Sequence, residues 1–303
     1  MKKLLLLLSA TVLVFAGDSN RYREDFHYSY PQTAGGRLTL ENFNGSVEIT
    51  GWDQNKVDIS GTKYAETETL LNQTRIEASS SGNAVHVKTT RPDPHHGNMG
   101  AKYVIHVPRQ TVLEDIGSSN GSLRVEEIDG NARLATSNGS IHLDKIHGNV
   151  EAHSSNGSVE VNDVKGTMNF RTSNGGVRAD NVEGDFEAET SNGGIHAHLR
   201  DTASAHPIRL STSNGGIDLQ VDSLRQNDVT ASTSNGPITV RMPASVGAIL
   251  HAATNSSGSV RSDFDVLVRP GELSKHRIEG TIGGGGPRID LTTSNGNINL
   301  LKM

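Results

Sequence analysis

Residues 119–190 read SNGSLRVEEIDGNARLAT (119–136), SNGSIHLDKIHGNVEAHS (137–154), SNGSVEVNDVKGTMNFRT (155–172) and SNGGVRADNVEGDFEAET (173–190). Four lines of 18 residues align without a gap, each opening on Ser-Asn-Gly at Asn120, Asn138, Asn156 and Asn174. Asn192 keeps the same spacing, and Asn214, Asn235 and Asn295 continue the motif at longer intervals. A degenerate copy lies at Ser257-Gly258 and an early one at Asn44-Gly45. A second turn sits midway in the regular lines, at Asp129-Gly130, His147-Gly148, Lys165-Gly166 and Glu183-Gly184. Each line is therefore two short strands separated by two glycine turns, and self-similarity at a fixed period marks a repeat architecture.

Asn-Gly is also the strongest hairpin signal, so a plain β-meander competes with a solenoid. The equality of the spacings decides between them. An antiparallel sheet has no need of identical intervals, whereas a solenoid stacks residue i on residue i+18. The stacked columns can be read directly. Leu123, Ile141, Val159, Val177, Ile195, Ile217 and Ile238 follow the motif, and Val125, Leu143, Val161, Ala179, Ala197, Leu219 and Val240 come two residues later. The second strand carries Ala132, Val150, Met168 and Phe186, then Leu134, Ala152, Phe170 and Ala188. Ile128, Ile146, Val164 and Val182 precede the midway turn. Between the aliphatic columns runs a polar row, Arg124, His142, Glu160, Arg178, His196 and Asp218. Apolar and polar residues alternating with period two place one set inward and the other outward.

The expected fold is all-β: a parallel, β-helix-like β-solenoid of 18–22-residue coils, with a β-rich N-terminal cap region and one short helix. Asn and Gly tolerate positive φ, so Asn156-Gly157 and its counterparts are expected to use it to turn the chain. Stacked Asn side chains could in addition bond to one another in a ladder, as in cross-β stacks. A single coil buries too little to order itself, so the array must fold as a whole and needs caps. Phe26, Tyr28 and Tyr30 alternate in a strand before the repeats, and Ile298 and Leu300 close the other end.

The less regular segments give further expectations. Residues 37–63 read as two strands around Gly51-Trp52-Asp53, and Ala65 to Gln73 as the helix. Val85, Val87, Val104, Ile105 and Val107 mark more strands, with a loop from Arg91 to Gly100. Residues 261–287 break the period, as an excursion through Phe264, Val266 and Val268 and a Gly-rich return at Gly280 and Gly283 to Gly286. The domain reading is a signal peptide at 1–16, a capping part at 17–110 and one continuous array at 111–303.

Composition agrees with a narrow core. Of 303 residues, 33% are hydrophobic and 4% aromatic, and 33 are glycine. That is thin for a layered globular core and suits small aliphatics between glycine turns. Met1-Lys2-Lys3, the run Leu4 to Leu8 and small residues up to Ala16 have the form of a secretory signal peptide cleaved after Ala16. The apolar run is shorter than the ~20 residues that span a bilayer, which weighs against a membrane anchor. Cysteine is absent, so neither a lipoprotein anchor nor disulfides are expected. The net charge of −6, without a basic cluster, argues against nucleic-acid binding.

Together, Asn44-Gly45-Ser46-Val47 with Gly51-Trp52-Asp53, then Val107-Pro108, then the Ser-Asn-Gly-aliphatic repeats and the Gly-rich stretch before the last of them resemble the bacterial putative-adhesin, or toastrack, domain family of unknown function. The resemblance spans nearly all of the chain after residue 16. It implies an extracytoplasmic β-repeat fold. Its members are often joined to membrane segments in envelope-stress systems, and this chain departs from that. The family carries no agreed catalytic residues, and fold alone does not establish function.

Other chemistries fit the residues poorly. Gly283–Gly286 is followed by Pro287-Arg288, where a phosphate loop needs Gly-Lys-Ser/Thr. A calcium β-roll needs an Asp column, and the column here is Arg, His, Glu, Arg, His, Asp. Among 13 histidines, His95-His96 would point apart if extended, and His196 with His198 is the best metal pair, without a matching partner set. Asp144, Glu160, Asp180 and Arg178 could serve a carbohydrate-active enzyme, but ordinary solvated charges explain them as well. The expectation is a non-catalytic extracytoplasmic repeat protein with no cofactor or metal, periplasmic, secreted or at the cell surface. It would be an adhesin-like binding or structural module for an envelope protein or polysaccharide. An accessory role in envelope-stress sensing and a carbohydrate-active β-helix enzyme are the alternatives. Asn120, Asn138, Asn156, Asn174, Asn192, Asn214, Asn235 and Asn295 would be structural turns, and the polar row from Arg124 to Asp218 the binding row.

Overall fold

The computed structural model describes residues 13–14, 22–93, 97–201, 207–255 and 258–303. The expected leader lies outside these residues, apart from Leu13–Val14, which pairs antiparallel with Tyr22 and Arg23. His95-His96 and Ser257 lie outside them too. Among the described residues the fold is nearly all β and mostly parallel, with one small helix. Among the described residues no helix is long and apolar enough to cross a membrane. The chain divides into two compact units, Met1–Asn138 and Gly139–Met303.

In the second unit the chain feeds two ladders in turn. In the first ladder Ile141 pairs with Val159, Val159 with Val177, Val177 with Ile195, Ile195 with Ile217, Ile217 with Ile238, and Ile238 with Ile298, all parallel. In the second, Val150 pairs with Met168 and Met168 with Phe186. Beyond them Ala188, Leu210, Ala231 and Leu291 continue in the same way. Strand Val159–Thr172 alternates buried and exposed along both halves, which turns every aliphatic column inward. Large residues are seated beside small ones. Phe170 has Ala152 and Ala188 as its ladder neighbours, and its ring meets Phe186 edge-on at 5.8 Å. Interiors reach native density by this kind of interdigitation.

The interruption after Met242 is an outer rung. Strand Ala248–Thr254 runs parallel to Arg288–Asn295 and antiparallel to Arg277–Ile282, which pairs in turn with Val266–Ser274. Gly283–Gly286 then returns the chain, so that Arg288–Asn295 and Ile298–Lys302 slot between earlier rungs and the Ala248–Ser262 segment. Gly283 and Gly285 hold φ of 56° and 79°, a region glycine takes without strain.

The first unit is built on the same plan. Leu123–Ile128 lies parallel to Val47–Trp52, which lies parallel to Met99–Pro108. Lys56–Ala65 and Tyr22–Pro31 then close this side antiparallel. Across from them, Ala132–Thr136, Val112–Asn120, Arg37–Asn44 and Ala84–Thr90 are parallel neighbours, with Arg75–Ser81 antiparallel at the end. The region read as two strands over 37–63 holds three, because Asn44-Gly45 is itself a turn. The helix is Glu68–Gln73, shorter than the Ala65 to Gln73 expected. Ala65 is instead held extended by its pairing with Met99 and Tyr22, and Thr67 caps the helix by accepting the Leu70 amide at 3.2 Å.

The positive-φ expectation for the Asn-Gly turn is corrected. Among the described residues, the non-glycines in the left-handed region are Glu127, Lys145, Asp163 and Asn181, all in the midway bend. Gly45 at 116° is an early copy of the motif that does use positive φ. In the regular coils the motif glycine answers to crowding instead. A Cβ on Gly157 would lie 2.0 Å from the Gly139 carbonyl oxygen, and one on Gly175 2.2 Å from that of Gly157.

Candidate functional site

Outward positions of the first ladder in the second unit form three parallel rows. Nearest the Asn-Gly turn run Ser140, Ser158, Gly176, Gly194, Gly216, Pro237 and Asn297. The next row is His142, Glu160, Arg178, His196, Asp218, Thr239 and Asn299, and register brings these side by side across adjacent strands. The third includes Asp144, Asn162 and Asp180, then His198, Gln220 and Arg241. Arg124 lies in the first unit, opposite Glu48 and bonded to Glu126 at 2.5 Å.

The rows are knitted by short polar contacts. His142 Nε2 lies 3.2 Å from Glu160 Oε2, and Arg178 Nε donates to Asp180 Oδ2 at 2.7 Å. His196 sits between Asp180 at 3.8 Å and Asp218 at 3.6 Å, and Asp218 also pairs with Arg241. Asn162 donates to Asp144 at 2.7 Å. His198, beside His196 on the same face, turns to Asp222 at 2.8 Å. Burial would raise the Asp222 carboxyl, but hydrogen bonds from Gln220 and His198 hold it below the ordinary range. The two histidines thus serve different carboxylates. Among the described residues no group of three His, Cys, Asp or Glu is placed to hold a metal.

Beside the charged row lies an open groove of about 530 Å³. Its floor is Gly176, Gly194 and Gly216 with the main chain of Val177, Ile195 and Ile217, its ends are Ser158 and Pro237, and its wall is Glu160, Arg178, His196, Asp218 and Thr239. The sequence singled out the wall and missed the floor. The signal was present as the doubled glycine that replaces Gly-Ser after Asn174, Asn192 and Asn214. On the other ladder a second depression of about 340 Å³ is lined by hydroxyls, including Ser211, Ser213, Ser232, Ser234, Thr292 and Ser294.

The turn asparagines form a ladder of their own along the rim. Asn174 Nδ2 donates to Asn156 Oδ1 at 2.8 Å, Asn192 to Asn174 at 2.9 Å, Asn214 to Asn192 at 3.0 Å, Asn235 to Asn214 at 3.0 Å and Asn295 to Asn235 at 2.9 Å. In the first unit Asn138 donates to Asn120 at 2.7 Å. Behind this rim runs a buried hydroxyl column that sequence reasoning did not find. Ser154, Thr172, Thr190, Thr212, Thr233 and Thr293 each donate to the carbonyl of a motif glycine. The residue two before each Asn was the available signal, being Ser or Thr throughout.

The family model for Toastrack DUF4097 matches residues 36–301. Comparison with curated proteins gives no match. Among solved structures, the chain is similar to a putative adhesin from Parabacteroides distasonis at 8% identity, over 91% of this chain and 97% of that one, with a TM-score of 0.39. It is similar to a putative adhesin from Bacteroides fragilis at 12% identity, over 91% and 97%, with a TM-score of 0.25. A putative lipid binding protein from Parabacteroides distasonis is matched at 12% identity, over 92% and 97%, with a TM-score of 0.32.

Proposed function

This chain belongs to the Toastrack DUF4097 family, and we propose that it is a non-catalytic, extracytoplasmic module that binds an envelope partner along a rigid repeat face. In this reading the chain is a parallel β-solenoid of 18–22-residue coils, and the outward rows are its working surface. The observation that carries it is the register of the charged row. Glu160, Arg178, His196 and Asp218 stand on neighbouring strands, each one ladder step from the next. Such steps are about 4.8 Å, so the face offers contacts at a fixed short interval. Contacts that are weak singly gain strength along the length of an extended partner. Both signs occur along the row, which suits a partner of mixed or low charge. Within the row Glu160 faces His142, and Arg178 pairs with Asp180 of the next row, which holds these exposed side chains in place.

The test is to incubate the protein with envelope polysaccharides and with envelope extract, measuring retention and product release together. Retention without turnover is expected. Turnover abolished by one carboxylate substitution, such as Glu160→Gln, overturns the reading in favour of a carbohydrate-active enzyme. Co-purification of a membrane protein with no polysaccharide retained favours the envelope-stress accessory role.

A further inference from the structure

The groove beside the charged row has a floor that the fold does not demand. Each doubled glycine in the second unit contains two different residues in physical terms. The first is obligatory: a Cβ on Gly175, Gly193 or Gly215 would lie 2.0–2.2 Å from a neighbouring carbonyl oxygen. The second is not. A Cβ on Gly176, Gly194 or Gly216 would come no closer than 3.1 Å, 3.3 Å and 3.3 Å to its nearest neighbour, a matter of tenths of an ångström in relaxation. Nor do these three hold positive φ. The same column accepts a serine at Ser158, whose hydroxyl bonds to Ser140 at 3.2 Å, and carries Asn297 at its far end. Three adjacent rungs have therefore given up side chains that the column tolerates, and the result is the open groove between Ser158 and Pro237.

Resting on the binding-module reading above, we propose that this groove is the ligand subsite, and that its occupant is a linear glycan lying along the repeat axis. From Ser158 to Pro237 there are four ladder steps, about 19 Å at the usual strand spacing. The floor offers bare glycine backbone with no protruding side chain, a surface onto which a flat sugar ring can settle through its C–H face. The floor carbonyls are already used. Those of Gly176, Gly194, Gly216 and Pro237 accept from Val159, Val177, Ile195 and Ile217 at 2.9–3.0 Å. A peptide strand binds by adding its main chain to the free edge of a sheet, and the strands of Val177, Ile195 and Ile217 are interior, each paired on both sides. The wall supplies what a chain of hydroxyls needs. Glu160 and Asp218 accept, Arg178 donates, and His196 and Thr239 can do either. Charges of both signs stand within one or two rungs of each other, so no strongly acidic or basic polymer is selected.

The experiment uses the full chain and three single variants, with Gly194→Ser as the fold control and Gly194→Asn as the variant that fills the groove. Ser232→Asn on the opposite ladder controls for surface change elsewhere. Each is titrated calorimetrically with linear oligomers of β-1,4-linked glucose, N-acetylglucosamine and mannose, two to eight sugars long, and with extended octapeptides. We expect affinity for at least one glycan series to rise with length and level off once the groove is spanned. Gly194→Asn should lose about tenfold or more, equivalent to about 1.4 kcal/mol, with its melting temperature and that of Gly194→Ser unchanged, and Ser232→Asn should bind as the parent does. Equal affinity in Gly194→Asn and parent overturns the groove and leaves the binding-module reading standing. Binding of octapeptides and of no glycan, lost in Gly194→Asn, overturns the glycan class. Failure of every oligomer to bind overturns the subsite altogether, whereas the broader reading stands as long as envelope extract or polysaccharides are retained without turnover.

Discussion

The hydroxyl of Thr172 donates to the carbonyl oxygen of Gly157 at 2.7 Å, closing the coil that the same glycine opened 15 residues earlier. That carbonyl points across to the next coil, where a Cβ on Gly175 would meet it at 2.2 Å. One atom therefore ties the end of a coil to its beginning and sets how closely the next coil stacks. The relation recurs at Thr190 with Gly175 and at Thr212 with Gly193. It explains why the turn reads Thr-Ser-Asn-Gly or Ser-Ser-Asn-Gly: the hydroxyl, the Asn rung and the bare glycine act on the same junction.

The first prediction concerns the glycine. Gly157→Val forces a side chain to within 2.0 Å of the Gly139 carbonyl, whose backbone is itself fixed in the ladder. Overpacking of this kind costs about 1–3 kcal/mol or more. Ser158→Val, one residue on, faces outward and should cost far less. Melting temperatures of the two variants decide it, and equal losses would contradict crowding as the reason for the glycine.

The second concerns the hydroxyl column. Thr172→Val keeps the shape but removes the donor from a junction carbonyl, at a cost of about 1–3 kcal/mol for a buried group left unsatisfied. Thr172→Ser should be nearly silent, since Ser154 occupies the equivalent place and donates to Gly139 at 2.8 Å. Denaturant midpoints of both variants provide the comparison. A Ser variant as damaged as the Val variant would mean that packing of the Thr methyl, and not the hydrogen bond, is what matters.

The third is a stabilising substitution. Lys145 sits at φ 54°, a region that costs an ordinary residue roughly 1–2 kcal/mol and that asparagine visits readily. Asn181 already fills the same place two coils along, at φ 56°. Lys145→Asn should therefore raise stability by about 0.5–1 kcal/mol, read as a higher thermal midpoint. A lower midpoint would show that the lysine side chain contributes more than its backbone strain removes.

The fourth separates inside from outside. Ile141 is 0% exposed, so Ile141→Asp buries a charge without a partner and should disrupt several coils. His142 is a surface residue beside Glu160, and His142→Asp should shift stability by no more than about 0.5–1 kcal/mol, the scale of a surface ion pair. Circular dichroism melts of the two variants test the alternation.

The inward columns were readable because a period of 18 repeats the same side-chain chemistry at every rung, so alternation along one strand is reinforced by its neighbours. The bend was less readable. Glu127 and Lys145 do not advertise positive φ, as Asn and Gly do, so the midway bend was marked in the sequence only by its glycines, of which Gly166 and Gly184 do take positive φ. The terminal rung was hidden for another reason. Arg288–Asn295 is inserted between strands 229–235 and 248–254, an order in space that differs from the order in sequence. Of the candidate site, the wall was visible as an outward row. The floor was not, because glycine reads first as turn chemistry, and only the packing distances separate Gly175, which the fold requires, from Gly176, which it does not.

The last prediction concerns acid stability of the first unit. Asp58 lies on strand Lys56–Ala65, with His27 Nε2 at 3.0 Å from one carboxylate oxygen and Lys56 Nζ at 3.5 Å from the other. Burial would raise its pKa, but the hydrogen bonds and charges of His27 and Lys56 outweigh that and hold it below the ordinary value. A carboxyl whose folded pKa is depressed stabilises the fold while it is ionised in both states. Its contribution is complete above the unfolded value of about 3.9 and disappears as pH falls through the lower folded value. Asp58→Asn removes the contribution at every pH. The variant should therefore melt below the parent at neutral pH, and the gap should close as pH is lowered from about 4 toward 2. Melting curves across that interval, fitted for the transition of this unit, give the measurement. A gap that stays constant down to pH 2 would mean that Asp58 acts through packing or neutral hydrogen bonding, and that its charge contributes nothing to the pairing of strands Tyr22–Pro31 and Lys56–Ala65.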